Sequence, residues 1–228
     1  DGVATIAPKA FQKAGITSVT LPDSLRTIKD EAFRLSALTT VTLPEKFETV
    51  GTCAFCSAGK LASIDLGGTI SLGGSAFEST SAKEGVNFRP ELNRLTTIGD
   101  FAFSRTAVSS VTLPDSVTTV GEQAFSENTA LTSFHIGVGV TSFAETALYN
   151  DRKIATLTVS TDNPVYSAER NVLYRKADDG LHLMLSPAAN TLTDYTVRAG
   201  TVKIGASAFA NNKTLTRVVL PEGLRVIG

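Results

Sequence analysis

Cys53-Ala54-Phe55-Cys56 is the sharpest chemical motif in the sequence, and it holds both of the chain's cysteines. A C-x-x-C pair can be a redox dithiol, half of a zinc site, or a local disulfide in an oxidising compartment. A second such pair and a thioredoxin-like βαβ pattern are both missing. The Ala-Phe pair recurs along the chain as a buried anchor. This places the flanking cysteines outward, with Glu31, Ser75 and Gln123 on one side and Arg34, Glu78 and Ser126 on the other. Free surface thiols open to maleimide are the first expectation, a local disulfide the second, and redox or metal chemistry the last. His135 and His182 are the only histidines. A Ser-His-Asp arrangement recruiting Asp65 would have to join different repeat units, and no nucleophile-elbow motif is present. Asp162-Asn163 lacks EF-hand spacing and, standing before Pro164, reads as a turn former. No Gly-rich phosphate motif follows a strand and opens a helix. The expectation is a non-enzymatic chain with no cofactor and no metal ligands.

The elements that must position these residues follow from a repeat. Phe11, Phe33, Phe55 and Phe77 are spaced by 22 residues; Phe103 follows after 26, Phe125 after 22, Leu148 after 23 and Phe209 after 61. An alanine precedes every one of them. A fixed period in the twenties marks a solenoid. The unit reads L-x-x-V-x-L-P-x-x-(apolar)-x-x-I-G-x-x-A-F, as in LTTVTLPEKFETVGTCAF over residues 38–55. Its Val-x-Leu core alternates with period two, which predicts short strands over 19–21, 41–43, 64–66, 86–88, 111–113, 134–136, 157–159 and 218–220. Proline at 22, 44, 114 and 221 has no N–H to donate and ends the strand. Val117 and Val120 turn back inward. Glycine at 51, 99, 121 and 205 suits a bend needing positive φ. The x-x-A-F tail predicts one helical or 3₁₀ turn held by packing. One unit cannot bury its own apolar face, whereas stacked units with parallel strands can.

The L-x-x-V-x-L-P core and I-G-x-x-A-F tail, seen again in VSSVTLPDSVTTVGEQAF, closely resemble the BspA-like leucine-rich repeats of bacterial and protist surface proteins. The resemblance covers nearly the whole chain. It implies an α/β repeat: a right-handed curved solenoid with a parallel sheet on its concave side, and roles in cell-surface adhesion or protein binding. Two units depart from the pattern. LGGTISLGGSAF loosens a turn with glycines, and STSAKEGVNFRPELNRL adds a bulged loop near residues 89–94. An insertion over about 160–190 predicts strands at 172–174 and 183–185 joined through Asp178-Asp179-Gly180. It also resembles the hairpin insertion of this repeat family. No segment is linker-like, so residues 1–228 are expected to form a single solenoid.

The formal net charge of −1 gives no electrostatic case for nucleic acid or an anionic membrane. No apolar run is long enough to span a bilayer, and no signal peptide is visible. The chain opens in the second half of a unit and ends inside another. A segment of a longer protein is therefore expected, with Val226 and Ile227 poorly covered.

The outward residues of the main sheet form the candidate site: Thr20, Thr42, Asp65, Asn87, Thr112, His135, Thr158 and Val219. A second row runs Ser18, Thr40, Ser63, Gly85, Ser110, Ser133, Thr156 and Arg217. Threonine favours exposed strand positions and stacks well, so much of this row serves the sheet itself. Asp65, Asn87 and His135 break the threonine run near its middle. Thr42, Asp65, Asn87, Thr112, His135 and Thr158 are accordingly the expected binding residues, on a sheet face unbroken from Thr20 to Thr158. The expected function is a cell-surface or secreted module binding a protein ligand on a host cell or in extracellular matrix. A structural spacer is the alternative, and a glycan-binding surface protein is a weaker one. The sheet row has no aromatic residue to stack on a sugar or anchor an interface.

Overall fold

Valine and leucine at alternate positions bury one face of each short strand, and the same positions recur in every unit. The consequence is a parallel-strand β-solenoid of about ten turns. The structure is a computed structural model and describes residues 2–228. Three hydrogen-bonded ladders run along the stack.

The first ladder carries the candidate site. Thr40–Thr42, Ser63–Asp65 and Gly85–Asn87 form one parallel sheet. Ser110–Thr112, Ser133–Ile136 and Thr156–Val159 form another. The expected unbroken face is therefore corrected. Residues 18–20 are not a strand, and no pairing joins Asn87 to Ser110–Thr112. The break falls at the 26-residue unit. Its extra residues leave Asn87 through a 3₁₀ turn, Pro90–Leu92, flanked by Arg89 (φ 48°) and Asn93 (φ 47°) in the left-handed region.

The second ladder is one that the repeat pattern does not announce. Seven two-residue strands, from Thr5–Ile6 through Thr49–Val50 to Ser142–Phe143, pair in parallel as a continuous sheet. Glycine lies just beyond this ladder at 51, 99 and 121. None of these has positive φ, which corrects the expected reason for them. A Cβ on Gly51 would lie 2.7 Å from the Asp30 nitrogen, and one on Gly99 2.7 Å from the Leu72 oxygen. The neighbouring coil leaves no room for a side chain.

The third ladder lies at the Ala-Phe turns. These are not helical, and the single helical element among the described residues is Pro90–Leu92, so the expected α/β class is corrected to a β-solenoid. The reason is local. Positive φ falls on non-glycine residues two before and two after the anchor, as at Glu31 and Leu35, Cys53 and Ser57, and Gln123 and Glu127. A left-handed residue at every fourth position interrupts the run of right-handed residues that a helix needs. The left-handed residues turn alternate N–H groups toward the next coil. Phe33 N–H donates to Ala54 O at 2.7 Å and Leu35 N–H to Cys56 O at 3.0 Å.

Inside, Phe11, Phe33, Phe55, Phe77, Phe103 and Phe125 stack as one column, with ring centroids 5.0–5.4 Å apart. All but Phe11 are fully buried. The insertion is bonded into the stack. Tyr166–Glu169 pairs antiparallel with Val172–Ala177, which pairs antiparallel with Gly180–Leu185. Gly180–Leu185 then runs parallel to Thr201–Ile204, which pairs with Val226–Ile227. Val226 and Ile227 are exposed. A smaller core, built from Val172, Tyr174 and Leu183 of the insertion together with Tyr195, is separate from the main one. The Tyr174 and Tyr195 hydroxyls share a buried hydrogen bond of 2.6 Å.

Candidate functional site

The two sheets divide the candidate residues into two groups. Thr42, Asp65 and Asn87 lie side by side in register on the first sheet. Thr112, His135 and Thr158 do so on the second. No hydrogen-bonded pairing bridges the groups among the described residues.

Asp65 is the most constrained member. Its Oδ1 accepts from Arg89 Nε at 2.8 Å and from Gly67 N–H at 2.9 Å, and its Oδ2 from Asn87 Nδ2 at 3.4 Å. Asn87 Oδ1 in turn accepts the Arg89 N–H at 3.1 Å, and Arg89 Nη1 reaches Glu91 Oε1 at 3.1 Å. These bonds, to Asp65 first and Glu91 second, raise the Arg89 pKa above its ordinary value. Arg89 is a site residue that the outward-row argument missed. The signal was the lengthened unit, which folds the residue after Phe88 back over the row. Beside this network the sheet face holds a recess of about 380 Å³, lined by Thr42, Ser63, Asp65, Glu84, Gly85 and Asn87.

In the second group, His135 Nδ1 lies 2.8 Å from Thr158 Oγ1 and Nε2 lies 3.2 Å from Ser160 Oγ. Asp65, the carboxylate considered for a catalytic reading, is held by Arg89 on the other sheet. Thr158 occupies the ring nitrogen that an orienting carboxylate would need. The arrangement presents hydrogen-bonding groups and no activated nucleophile. His182 pairs with Asp179 at 2.8 Å in the insertion's turn, and this bond lowers the Asp179 carboxyl pKa.

The cysteines differ from the first expectation. Cys53 and Cys56 form a disulfide, with their Cα atoms 4.7 Å apart. Cys56 is also buried, as are Ser104 and Ser126 at the same place in their coils. In these three coils the position after the anchor faces the interior, whereas Tyr149 at the same place is exposed. Asn163 is a buried hub. Its Nδ2 donates to Gly137 O and Val140 O, and its Oδ1 accepts from the N–H groups of Val165 and Tyr166. Among the described residues, no three His, Cys, Asp or Glu side chains converge as metal ligands would. Among the described residues, no helix is long and apolar enough to cross a membrane.

Comparison with known proteins places this geometry among relatives. A family model described as the BspA type leucine rich repeat region matches residues 4–95, 96–175 and 188–228. A comparison with curated protein sequences returns no match. Three solved structures share the fold. A leucine-rich repeat protein from Eubacterium ventriosum aligns over 90% of this chain and 50% of its own, with a TM-score of 0.71 and 22% identity. A leucine rich cell surface protein from Faecalibacterium prausnitzii aligns over 100% and 65%, with 0.64 and 22%. A leucine-rich repeat protein from Bacteroides ovatus aligns over 99% and 66%, with 0.62 and 20%. The chain spans half of the first and about two thirds of the other two.

Proposed function

The chain belongs to the BspA-type leucine-rich repeat family, and on that premise we propose that it is a non-enzymatic protein-interaction module of a cell-surface or secreted protein. Its ligand is a protein on a host cell or in extracellular matrix. One right-handed solenoid over residues 1–228 presents the contact face, formed by Thr42, Asp65, Asn87, Thr112, His135 and Thr158. The similar protein from Faecalibacterium prausnitzii is a cell surface protein, which supports the compartment. The observation that carries the reading is the preset polar recess beside Asp65. Asp65, Asn87 and Arg89 are already fixed by mutual hydrogen bonds. A partner docking there therefore has less side-chain entropy to remove.

The test is a binding assay to host cells and matrix-coated surfaces, with thermal melts as the control. Thr112→Arg and Thr42→Arg place bulk and charge on exposed strand positions, so each should cost the fold no more than about 1 kcal/mol. Each should reduce binding tenfold or more, equivalent to about 1.4 kcal/mol. Unchanged binding by both folded variants overturns the sheet-face assignment. Absence of binding by the parent to every surface favours a structural spacer.

A further inference from the structure

Six coils pass their turn donors to the coil that follows, and the seventh has no such receiver. The N–H groups of the anchor and of the residue two beyond it donate forward from Phe11 and Lys13 through to Phe125 and Glu127, whose acceptors are Ala147 O and Tyr149 O. The equivalent donors in the seventh coil are those of Leu148 and Asn150. Neither has an acceptor among the described residues. Asn150 nevertheless keeps the left-handed φ of 64° found at this position in the earlier coils. The insertion takes the place of the next turn. Beyond the strand Gly180–Leu185, at the place of the turn, Ser186 N–H alone donates to the following coil, to Ala208 O at 2.6 Å, and Pro187 has no N–H to give. The flanking carbonyls of Ala206 and Ala210 accept no backbone bond.

Between these edges lies a cleft of about 330 Å³, at the lower end of the range for ligand sites. Leu148, Asn150, Ala206 and Ala210 all line it, together with apolar Ile154 and Met184. Asp151 lines it too and ends a polar column. Thr106 N–H and Oγ donate to Asn128 Oδ1, and Asn128 N–H donates to Asp151 Oδ1 at 2.6 Å. The other oxygen of Asp151 is buried with no partner.

We propose that this cleft is a second docking site, distinct from the sheet face, which takes an extended peptide segment of a partner protein. Alternate peptide carbonyls, two residues apart, accept the Leu148 and Asn150 N–H groups, and one apolar side chain packs against Ile154 and Met184. Charge complementarity identifies the occupant. Leu148 and Asn150 offer two partially positive N–H groups on alternate residues, and an extended segment offers carbonyls to an edge in the same way as in strand addition. A cationic side chain is disfavoured beside those N–H groups. Burial raises the Asp151 carboxyl pKa to about 8, so at neutral pH it supplies little negative charge to offset this.

The test pans a phage-displayed library of random heptapeptides against the folded chain and its Ala210→Arg variant, with Ala188→Arg as a second variant that fills the cleft from the insertion side. The expected result is enriched peptides carrying one apolar anchor. Their affinity should fall about tenfold or more in both variants, a loss of about 1.4 kcal/mol, and be unchanged in Thr112→Arg. In the parent, amide hydrogen exchange at Leu148 and Asn150 should slow when the enriched peptide binds. Absence of enrichment, enrichment of basic peptides, or equal affinity for parent and cleft variants overturns the proposal. Binding lost only in Thr112→Arg assigns the peptides to the sheet face instead. Self-association of the parent that Ala210→Arg abolishes, measured by sedimentation, assigns the cleft to a second copy of the chain.

Discussion

Asp151 is held in the protonated form by the fold, and this gives stability a pH dependence of known sign. Burial raises its pKa from 3.8 to about 8, against the opposing hydrogen bond from Asn128. The folded state therefore binds the proton more tightly than the unfolded chain. The associated stability is complete below about pH 4 and is lost as pH rises toward 8, at up to about 1.4 kcal/mol per pH unit. Asp151→Asn keeps an acceptor for Asn128 N–H and cannot ionise. Urea titrations at pH 5 and pH 7.5 should show the parent losing stability relative to this variant, and parallel losses would refute the assignment. Ser126 illustrates a different residue-scale point. It is fully buried, and its hydroxyl lies 3.0 Å from that of Ser104. Small polar residues after the anchor look like surface in a sequence because their partner is another coil's copy of the same position. Ser126→Ala should cost about 1 kcal/mol by orphaning Ser104, Ser104→Ala should add little to it, and Phe125→Ala should cost about 3–5 kcal/mol. Additive serine effects in denaturant titrations would show that the pair does not act as one unit.

The coil's elements were legible in proportion to how far each depends on side-chain type. Ala54 and Phe55, Ala76 and Phe77, and their copies are buried as the spacing implies, since an apolar anchor every 22 residues has no other place to go. The pairing of Thr49–Val50 with its neighbours was not legible, because two residues are too few to show a period. The turns were misread as helical because the left-handed positions carry Glu, Cys, Ser and Gln, none of which announces positive φ as glycine would. The glycines serve a different element contact, which supports a paired test. Gly51→Ala forces a Cβ into the Asp30 backbone and should destabilise by about 1–3 kcal/mol. At Gly59 an added Cβ would meet nothing within 4 Å, and φ is not positive, so Gly59→Ala should be neutral or stabilising by up to about 1 kcal/mol. Melting curves that rank the two variants the other way would mean the coils can separate at Gly51 without cost.

At the scale of the whole molecule, the solenoid has a seam where the insertion enters. The larger core extends to Leu173 and Met184, while Val172, Tyr174, Leu183 and Tyr195 belong to a smaller one continuing toward Ala208. A stack whose coils contact mainly their neighbours unfolds by regions rather than all at once. Native-state hydrogen exchange should show Thr201–Ile204 opening at lower free energy than Thr97–Ile98, and identical opening energies would show that the seam transmits cooperativity fully. The seam was visible in the sequence as the 61-residue gap, and the break in the main sheet as the 26-residue unit. The setting of Asp65 was only half visible, because Arg89 reaches its carboxylate through a loop whose path no repeat position dictates. The turn ladder has one further consequence. Bonds in the parallel sheets point both ways along the stack and largely cancel, but those that the anchor and the residue two beyond it make between coils, from Phe11 to Glu127, all run forward in the same sense. Their peptide dipoles, about 3.5 D each, add along the axis. The run of coils thus acts electrically like a helix laid lengthwise, with its positive pole at Leu148 and Asn150.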